Sequence, residues 1–374
     1  MAASAVEKLL SEALKLRIGS AIAASYGKLS DLVGGQAVND LYAGHTSHLT
    51  WADPVGRETF FDLASLTKIL ATTTLAMVKR QQGALDLDAS LATILPDECN
   101  TNPGLAAITV RSLLSHTSGL PAWRPFYETL RTDFGSALAS VSLEQRKSAF
   151  DKLLYAITPE HTVGEKVIYS DLGFLILERV LSSSFEAEVN AIWKRVPGLQ
   201  FHFRPVDSDA QSSRFQILQN GDSIAMTEHC PWRGLLQGQV HDDNTWSRGG
   251  VAGHAGVFGR LEDVKLWTRA LFSLAIVNEA TLREFTTEAE PPFQSRRGLG
   301  FDFSSLDGTG STAFSFSKNS VGHLGFTGTS LWVDLDSGHY AILLTNRVHP
   351  DRNDTRIRAL RREFHQRVRG ELKT

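Results

Sequence analysis

The chain has 374 residues, 42% of them hydrophobic and 21% charged, a composition typical of a folded globular protein rather than a disordered one. Its 38 lysines and arginines nearly balance its 41 aspartates and glutamates, and the net charge of −3 argues against nucleic-acid binding, which favours a basic surface. The two cysteines, Cys99 and Cys230, lie far apart and outside metal-binding spacings, so no disulfide framework is predicted. At about 150 residues per domain, the length predicts two to three units, or one large α/β domain with an insertion.

The N-terminus predicts an amphipathic surface helix. The first ten residues lack the basic region and apolar core of a secretion signal, and Glu7 and Glu12 interrupt the apolar pattern. No stretch approaches 18 uncharged apolar residues, so no membrane span is predicted. Two thiols in a long chain are typical of a reducing compartment. These features favour a cytoplasmic protein.

The next elements alternate between strand and helix patterns. Residues 17–25 and 32–43 predict two strands of a hairpin around a turn containing glycine and aspartate. Residues 65–82 change to a helical period, and Gly83 is placed as its C-terminal stop. From there to about residue 245 most strong patterns are helical, including one helix for which Asp171 is the predicted N-cap.

Strand patterns return after residue 249, where five glycines lie within eleven positions. A helix is predicted over 262–272, then a hairpin of strands 329–334 and 339–345 in a sheet buried on both faces. A basic helix closes the chain, with Ile357, Leu360, Phe364 and Val368 on one face, where it would pack on the sheet. We therefore predict a discontinuous α/β domain of residues 1–70 and 250–374, and a mainly helical inserted domain of residues 71–249. A ligand site is expected between them.

One nucleophile motif stands in a helical context. The S-x-x-K at Ser65 and Lys68 opens the apolar helix, so the hydroxyl and the amine would lie one turn apart on one face. A desolvated lysine can accept a serine proton, and a helix start supplies backbone N–H groups for an oxyanion. By itself, the motif is more often a serine cap followed by a surface lysine. The sequence lacks the G-x-S-x-G motif of α/β-hydrolases and the H-E-x-x-H motif of zinc proteases. It also lacks the glycine loops of nucleotide-binding folds.

Two further segments could complete such a site. Tyr169 begins a Y-x-[ND] triplet, and a phenol beside a lysine could relay the serine proton to a leaving group; a boundary tyrosine is the alternative. His323-Leu324-Gly325 precedes a buried strand, where Gly325 would let a ligand approach the backbone and the Phe326 N–H could complete an oxyanion hole with that of Ser65.

Five blocks in this order carry a resemblance to a known superfamily: FFDLASLTK at 60–68, ITVRSLLSHTSGL at 108–120, YSDLG at 169–173, GGVAGHAG at 249–256 and HLG at 323–325. The chain resembles the serine β-lactamases and penicillin-binding proteins over nearly its whole length. The similar branch holds class C β-lactamases, D-alanyl-D-alanine carboxypeptidases with a His-x-Gly motif, and family VIII esterases. The resemblance implies an α+β fold, in which a mixed α/β sandwich carries an inserted all-helical domain.

The resemblance also implies roles for single residues. Ser65 matches the acylated nucleophile, Lys68 the base or proton-network lysine, and Tyr169 the tyrosine that shuttles the proton. His323 matches the first position of the third motif, and Phe326 holds the place of the second oxyanion N–H. The segment around His116 matches a structural segment, for which no catalytic role is predicted.

Two positions depart from the family pattern. Asp171 stands where an asparagine usually contacts the substrate acyl group, and a carboxylate there would favour a charged Lys68 and disfavour a Tyr169 phenolate. Leu324 stands where a hydroxyl residue usually helps to hold a substrate carboxylate, a loss of roughly 1–3 kcal/mol for such a ligand. Both departures favour esters over penicillins and D-alanyl peptides.

The sequence thus predicts a serine hydrolase that cleaves a small-molecule ester, or a peptide-like amide, through a Ser65 acyl-enzyme. No metal, organic cofactor or nucleic-acid partner is predicted, and the oligomeric state is left open. One alternative is a D-amino-acid peptidase, DD-carboxypeptidase or weak β-lactamase acting on cell-wall-derived fragments. A second alternative is a non-catalytic penicillin-binding or sensor module.

Overall fold

The main sheet is built from both ends of the chain. The structure is a computed structural model and describes residues 3–36, 38–135, 138, 141–206, 223–289 and 295–373. Within them the strands are β1 (Ala21–Lys28), β2 (Asn39–Gly44), β3 (Phe61–Asp62), β4 (His202–Phe203), β5 (His229–Cys230), β6 (Gly234–Leu235), β7 (Val257–Gly259), β8 (Asp302–Phe303), β9 (Ser320–Leu324), β10 (Ser330–Asp334) and β11 (His339–Thr345). Six of them form an antiparallel sheet in the order β2-β1-β11-β10-β9-β8.

Helices dominate the middle of the chain. The α-helices of the described residues are α1 (Ala5–Lys15), α2 (Leu29–Gly34), α3 (Thr74–Gln81), α4 (Leu91–Ile94), α5 (Pro96–Thr101), α6 (Val110–Leu114), α7 (Phe126–Phe134), α8 (Leu143–Tyr155), α9 (Asp171–Leu181), α10 (Phe185–Trp193), α11 (Asp243–Ser247), α12 (Leu261–Phe272), α13 (Glu279–Phe285) and α14 (Ile357–Leu372). This distribution matches the predicted α+β class. The domain boundaries at residues 70 and 250 stay a prediction. No helix in this part of the chain has the length and apolar character needed to cross a bilayer.

Both faces of the main sheet are buried, as predicted. Side chains alternate along a strand, so Ile22 and Ala24 pack under α1 and α14, whereas Ala21 and Ala23 face the larger core on the other side. The terminal helix buries the four apolar residues that its periodicity indicated: Ile357, Leu360, Phe364 and Val368. The predicted hairpin of β10 and β11 is present.

The first hairpin differs from the prediction. Strands β1 and β2 do pair antiparallel, but each begins later than predicted, and helix α2 replaces the expected turn. The reason is that Leu32, placed in a strand by its apolar character, is buried as part of α2. Gly35 ends that helix at φ = +69°, a left-handed conformation that glycine adopts without strain.

The N-cap of helix α9 lies one residue before the predicted position. The N-cap is Ser170, whose Oγ accepts a hydrogen bond from the Gly173 N–H at 3.2 Å. Asp171 is therefore the first helical residue rather than the cap. Because the cap is supplied by Ser170, the carboxylate of Asp171 is free to act elsewhere.

Candidate active site

Ser65 lies in a constrained turn directly after β3. The preceding residue, Ala64, has φ = +47°, a left-handed conformation uncommon outside glycine. The buried Asp62 carboxylate holds this turn, since Oδ1 accepts a hydrogen bond from the Ala64 N–H at 2.8 Å. A 3₁₀ turn at Ala64–Leu66 and a π-helical turn at Lys68–Thr73 follow, before α3. Ser65 is partly exposed and lines a cleft of about 770 Å³.

Lys68 connects the first two motifs. Its side chain is completely buried. Nζ donates hydrogen bonds to Ser65 Oγ at 3.1 Å, to Tyr169 Oη at 2.6 Å and to Asp171 Oδ1 at 2.7 Å. A longer contact of 3.4 Å joins Nζ to the His254 carbonyl oxygen. The structure therefore brings the three predicted catalytic side chains together around one ammonium group.

The charges of this group follow from its surroundings. Burial of the ammonium lowers the pKa of Lys68, but the Asp171 carboxylate and the Tyr169 oxygen outweigh burial and leave that pKa above its ordinary value. Burial also raises the pKa of Tyr169, more than the neighbouring Lys68 ammonium lowers it, and Asp171 raises it further. In the resting site Lys68 is therefore an ammonium and Tyr169 a neutral phenol. This agrees with the effect that the sequence predicted for an aspartate at position 171.

The segment around His116 supports the second motif. His116 Nδ1 accepts a hydrogen bond from the Ser170 N–H at 3.0 Å, and its ring centroid lies 4.7 Å from that of Tyr169. Burial lowers the pKa of His116 well below its ordinary value, and the cations of Arg297 and Lys68 add to this effect. The imidazole is therefore neutral and able to accept. These contacts agree with the structural role predicted for this segment.

The third motif lies next to the second. The His323 ring centroid is 5.8 Å from that of Tyr169, and His323 Nδ1 lies 2.8 Å from the Leu324 carbonyl oxygen. Burial lowers the pKa of His323 well below its ordinary value, and Lys68 and Arg297 add to the effect, so this histidine is also neutral. The partly buried Leu324 packs against the apolar core residues that lie between the main sheet and helices α1 and α14. It also lines the cleft.

The turn after β9 is tied to the segment before Ser65. A Cβ on Gly325 would lie 2.7 Å from the Leu63 carbonyl oxygen, so protein backbone, rather than the expected ligand, explains this glycine. Thr329 Oγ1 donates a hydrogen bond to the same carbonyl at 3.0 Å, and Thr327 Oγ1 donates one to the Asp62 carbonyl at 2.7 Å. These contacts fix the Phe326 turn relative to Ser65.

The cleft brings six of the seven predicted site residues together with an apolar rim, while Lys68 is buried and does not line it. The six that line it are Ser65, Tyr169, Asp171, His323, Gly325 and Phe326. The side chains of Phe326 and Trp123 also line it and are 52% and 41% exposed. Exposed aromatic side chains at a cleft favour an apolar ligand.

Several cleft residues were not indicated by any sequence motif. The partly buried Arg297 guanidinium lies 5.5 Å from the Tyr169 ring centroid and is paired with Asp302. His241 lines the cleft, stacks on the Phe326 ring at 5.6 Å and contacts Glu228. Neither residue stands at a recognisable spacing from Ser65, so tertiary structure alone places them in the site.

The chain matches the Beta-lactamase family model over residues 21–366, and it belongs to that family. It is 28% identical over 314 residues to a putative D-alanyl-D-alanine carboxypeptidase of Escherichia coli, covering 78% of this chain and 70% of that protein.

Two solved structures share the fold over nearly the whole chain. Simvastatin synthase LovD from Aspergillus terreus superimposes with a TM-score of 0.71 at 19% identity, covering 100% of both chains. EstCE1, a hydrolase with promiscuous acyltransferase activity, gives a TM-score of 0.69 at 20% identity, covering 96% of this chain and 97% of the other. The protein has the β-lactamase-like fold, and it is a serine hydrolase of that superfamily.

Proposed function

We propose that the protein is an esterase that works through an acyl-enzyme on Ser65, with Lys68 and Tyr169 as its proton-transfer residues. The observation that carries this proposal is the hydrogen bonding of one buried ammonium to Ser65, Tyr169 and Asp171 at 2.6–3.1 Å. A serine hydroxyl becomes a competent nucleophile only when a neighbouring group accepts its proton.

Acylation begins with a proton relay. In the resting state Lys68 is an ammonium and has no lone pair for the Ser65 proton. Lys68 therefore passes one proton to Asp171 Oδ1 and takes the hydroxyl proton as Ser65 Oγ bonds to the ester carbonyl carbon. The carboxylate becomes a carboxylic acid, and Lys68 remains an ammonium. Asp171 is in this scheme the terminal proton acceptor.

Collapse of the tetrahedral intermediate reverses the relay. Tyr169 accepts a hydrogen bond from Lys68, which leaves its own O–H group available to the leaving-group oxygen. As the bond from carbon to that oxygen breaks, the phenol gives its proton to the alcohol and is reprotonated by Lys68, and Asp171 returns its proton to Lys68. The backbone N–H groups of Ser65 and Phe326 hold the oxyanion during both steps.

Two hydrogen-bonding groups that would hold an amide or a β-lactam are absent from Asp171 and Leu324, which favours an ester as the substrate. The Asp171 carboxylate cannot donate a hydrogen bond to an acyl amide carbonyl, as an asparagine would. Leu324 offers no hydroxyl to a substrate carboxylate. The exposed rings of Trp123 and Phe326 instead present apolar surface to the substrate. We therefore expect esters of apolar acids or alcohols to be the better substrates.

A second candidate is a peptidase for D-amino-acid or cell-wall-derived fragments. The sequence relative in Escherichia coli named as a putative D-alanyl-D-alanine carboxypeptidase favours it, since the match covers most of both chains. A non-catalytic penicillin-binding module is disfavoured because Ser65, Lys68 and Tyr169 are all retained and joined by hydrogen bonds.

The test compares wild type with Ser65→Ala on a panel of p-nitrophenyl esters, a D-alanyl dipeptide and a chromogenic cephalosporin. We expect ester turnover in the wild type, its loss in the variant, and an acyl mass on Ser65 after a substrate pulse. Equal turnover by Ser65→Ala would refute the proposal. Faster turnover of the D-alanyl peptide than of every ester would replace it with the peptidase.

A further inference from the structure

One residue of the cleft wall, His241, is paired with a carboxylate, Glu228, and the scheme above uses neither of them. His241 Nε2 lies 3.1 Å from Glu228 Oε2, and both side chains are almost completely buried. Arg352 donates hydrogen bonds to the same carboxylate at 2.7 Å. Because a carboxylate only accepts, the proton of a neutral imidazole is on Nε2, and Nδ1 keeps a lone pair.

The charge of Glu228 is fixed by its partners. Burial raises the pKa of this carboxyl group, but the hydrogen bonds from His241 and Arg352 outweigh burial and lower that pKa to about 2. The carboxylate is therefore charged at any working pH. A charged carboxylate that accepts from one ring nitrogen fixes the orientation and tautomer of a histidine, so the other nitrogen presents its lone pair.

Three observations connect His241 with the segments around Ser65 and Phe326. The Asp62 carboxylate bridges the His241 N–H at 2.6 Å and the Ala64 N–H, and Ala64 immediately precedes Ser65. The imidazole stacks on the ring of Phe326, whose N–H group is the proposed oxyanion donor. His241 and Ser65 line the same cleft. In the described part of the chain, Nδ1 has no hydrogen-bond partner.

A second pair, His254 with Asp242, lines the same cleft but differs in access. His254 Nε2 lies 3.1 Å from Asp242 Oδ1, while its Nδ1 is enclosed by protein and unpaired among the described residues. An enclosed nitrogen cannot receive a water from the cleft. The two pairs share the same chemistry, a histidine on a carboxylate, and differ in the access of water to Nδ1. His254 therefore serves as a matched control for His241.

We propose that His241, oriented by Glu228, is the base that activates the water that hydrolyses the Ser65 acyl-enzyme. As the water oxygen bonds to the acyl carbon, His241 Nδ1 takes one of its protons. As the bond from that carbon to Ser65 Oγ breaks, the imidazolium returns the proton to Oγ, and the acid leaves. Glu228 is a positioning residue. The inference rests on the proposed Ser65 acyl-enzyme.

The test is rapid-quench kinetics with p-nitrophenyl butyrate on wild type, His241→Gln, Glu228→Gln and His254→Gln. For His241→Gln we expect the burst of nitrophenolate to keep its amplitude and, within about threefold, its rate. Steady-state turnover should fall about 100-fold or more, the usual contribution of a general base, and intact-mass spectrometry should find most Ser65 acylated. Hydroxylamine, which attacks without a base, should restore release of the acyl group.

The remaining variants separate a base from a structural residue. Glu228→Gln should show the same accumulation to a smaller degree, and His254→Gln should show none. Equal loss of burst and steady-state rate in His241→Gln would overturn the inference, as would an unchanged acyl-enzyme lifetime or accumulation in His254→Gln. If Glu228→Gln does not fold by circular dichroism, His241→Gln decides alone. Failure of the proposed function looks different, because no acyl group would then be found on Ser65 in any variant.

Discussion

The Nζ atom of Lys68 lies 2.7 Å from Oδ1 of Asp171, and the same ammonium group donates a hydrogen bond to Ser65, the proposed nucleophile. This ion pair decides which group is a base in the resting site. It stabilises the charged form of Lys68 against burial, so the lysine can act only by passing a proton on. The consequences can be measured.

The first prediction concerns Asp171→Asn. Removing the carboxylate lowers the pKa of Lys68, because burial is no longer opposed by a negative charge, and it also removes the terminal acceptor. We expect kcat/KM for an ester to fall about 100-fold at pH 7 and to rise with pH up to pH 10, whereas Asp171→Glu keeps the wild-type profile. Higher activity of Asp171→Asn at pH 7 would show instead that a neutral Lys68 is the base.

The second prediction concerns the threonines that tie the Phe326 turn to the nucleophile. Thr327→Val and Thr329→Val each remove one hydrogen bond to a backbone carbonyl, which should lower the free energy of unfolding by about 0.5–1.5 kcal/mol. Because the oxyanion N–H group is then less well placed, kcat should fall about three- to tenfold with little change in KM.

Urea unfolding and steady-state kinetics measure both effects. Thr132→Val is the control, since the exposed Thr132 donates through Oγ1 to a carbonyl within its own helix, α7. It should leave kcat unchanged. A change in KM alone for Thr329→Val would contradict a role in placing the oxyanion donor.

The third prediction is a loss of stability in acid. Burial lowers the pKa of both His349 and His365 to about 4, against about 6.5 in the unfolded chain. Between these values the unfolded state binds more protons than the folded state, so the free energy of unfolding falls as pH falls from 6.5 towards 4. Each histidine should contribute a slope of up to about 1.4 kcal/mol per pH unit.

Urea titrations at pH 7.5, 6.5 and 5.5 measure this slope. His365→Asn should reduce it, because an asparagine does not titrate, while the exposed His229→Asn should not change it. A free energy of unfolding that stays constant over this range would contradict the prediction.

The fourth prediction concerns penicillin. Leu324→Thr puts a hydroxyl where the chain now has a leucine, beside Gly325 in the cleft wall. One added hydrogen bond of about 1.4 kcal/mol should raise the rate constant for acylation of Ser65 by a fluorescent penicillin about tenfold. Turnover of a simple ester should change less than threefold. Gel fluorescence after timed labelling measures the first rate, and an unchanged value would show that Leu324 does not limit penicillin binding.

The sequence by itself determined the class of fold, and it named the three residues of the candidate site that the structure brings together, Ser65, Lys68 and Tyr169. Helical spacing between Ser65 and Lys68, together with the order of the five blocks, was enough because side chains one turn apart on a helix must be neighbours. The two apolar strands 329–334 and 339–345 likewise form the predicted hairpin, since their run of buried residues and their turn are local signals.

Tertiary structure alone decided the rest. The short helix α2 replaced a predicted turn because Leu32 packs into the core from a helix. The residues on either side of Leu32 give no local indication of that packing. The Asp171–Lys68 distance and the positions of His241 and Glu228 depend on loops that meet only when the chain folds. Pairings between residues more than a hundred positions apart leave no periodic trace in the sequence, so the 2.7 Å distance between Lys68 and Asp171 follows only from the folded molecule.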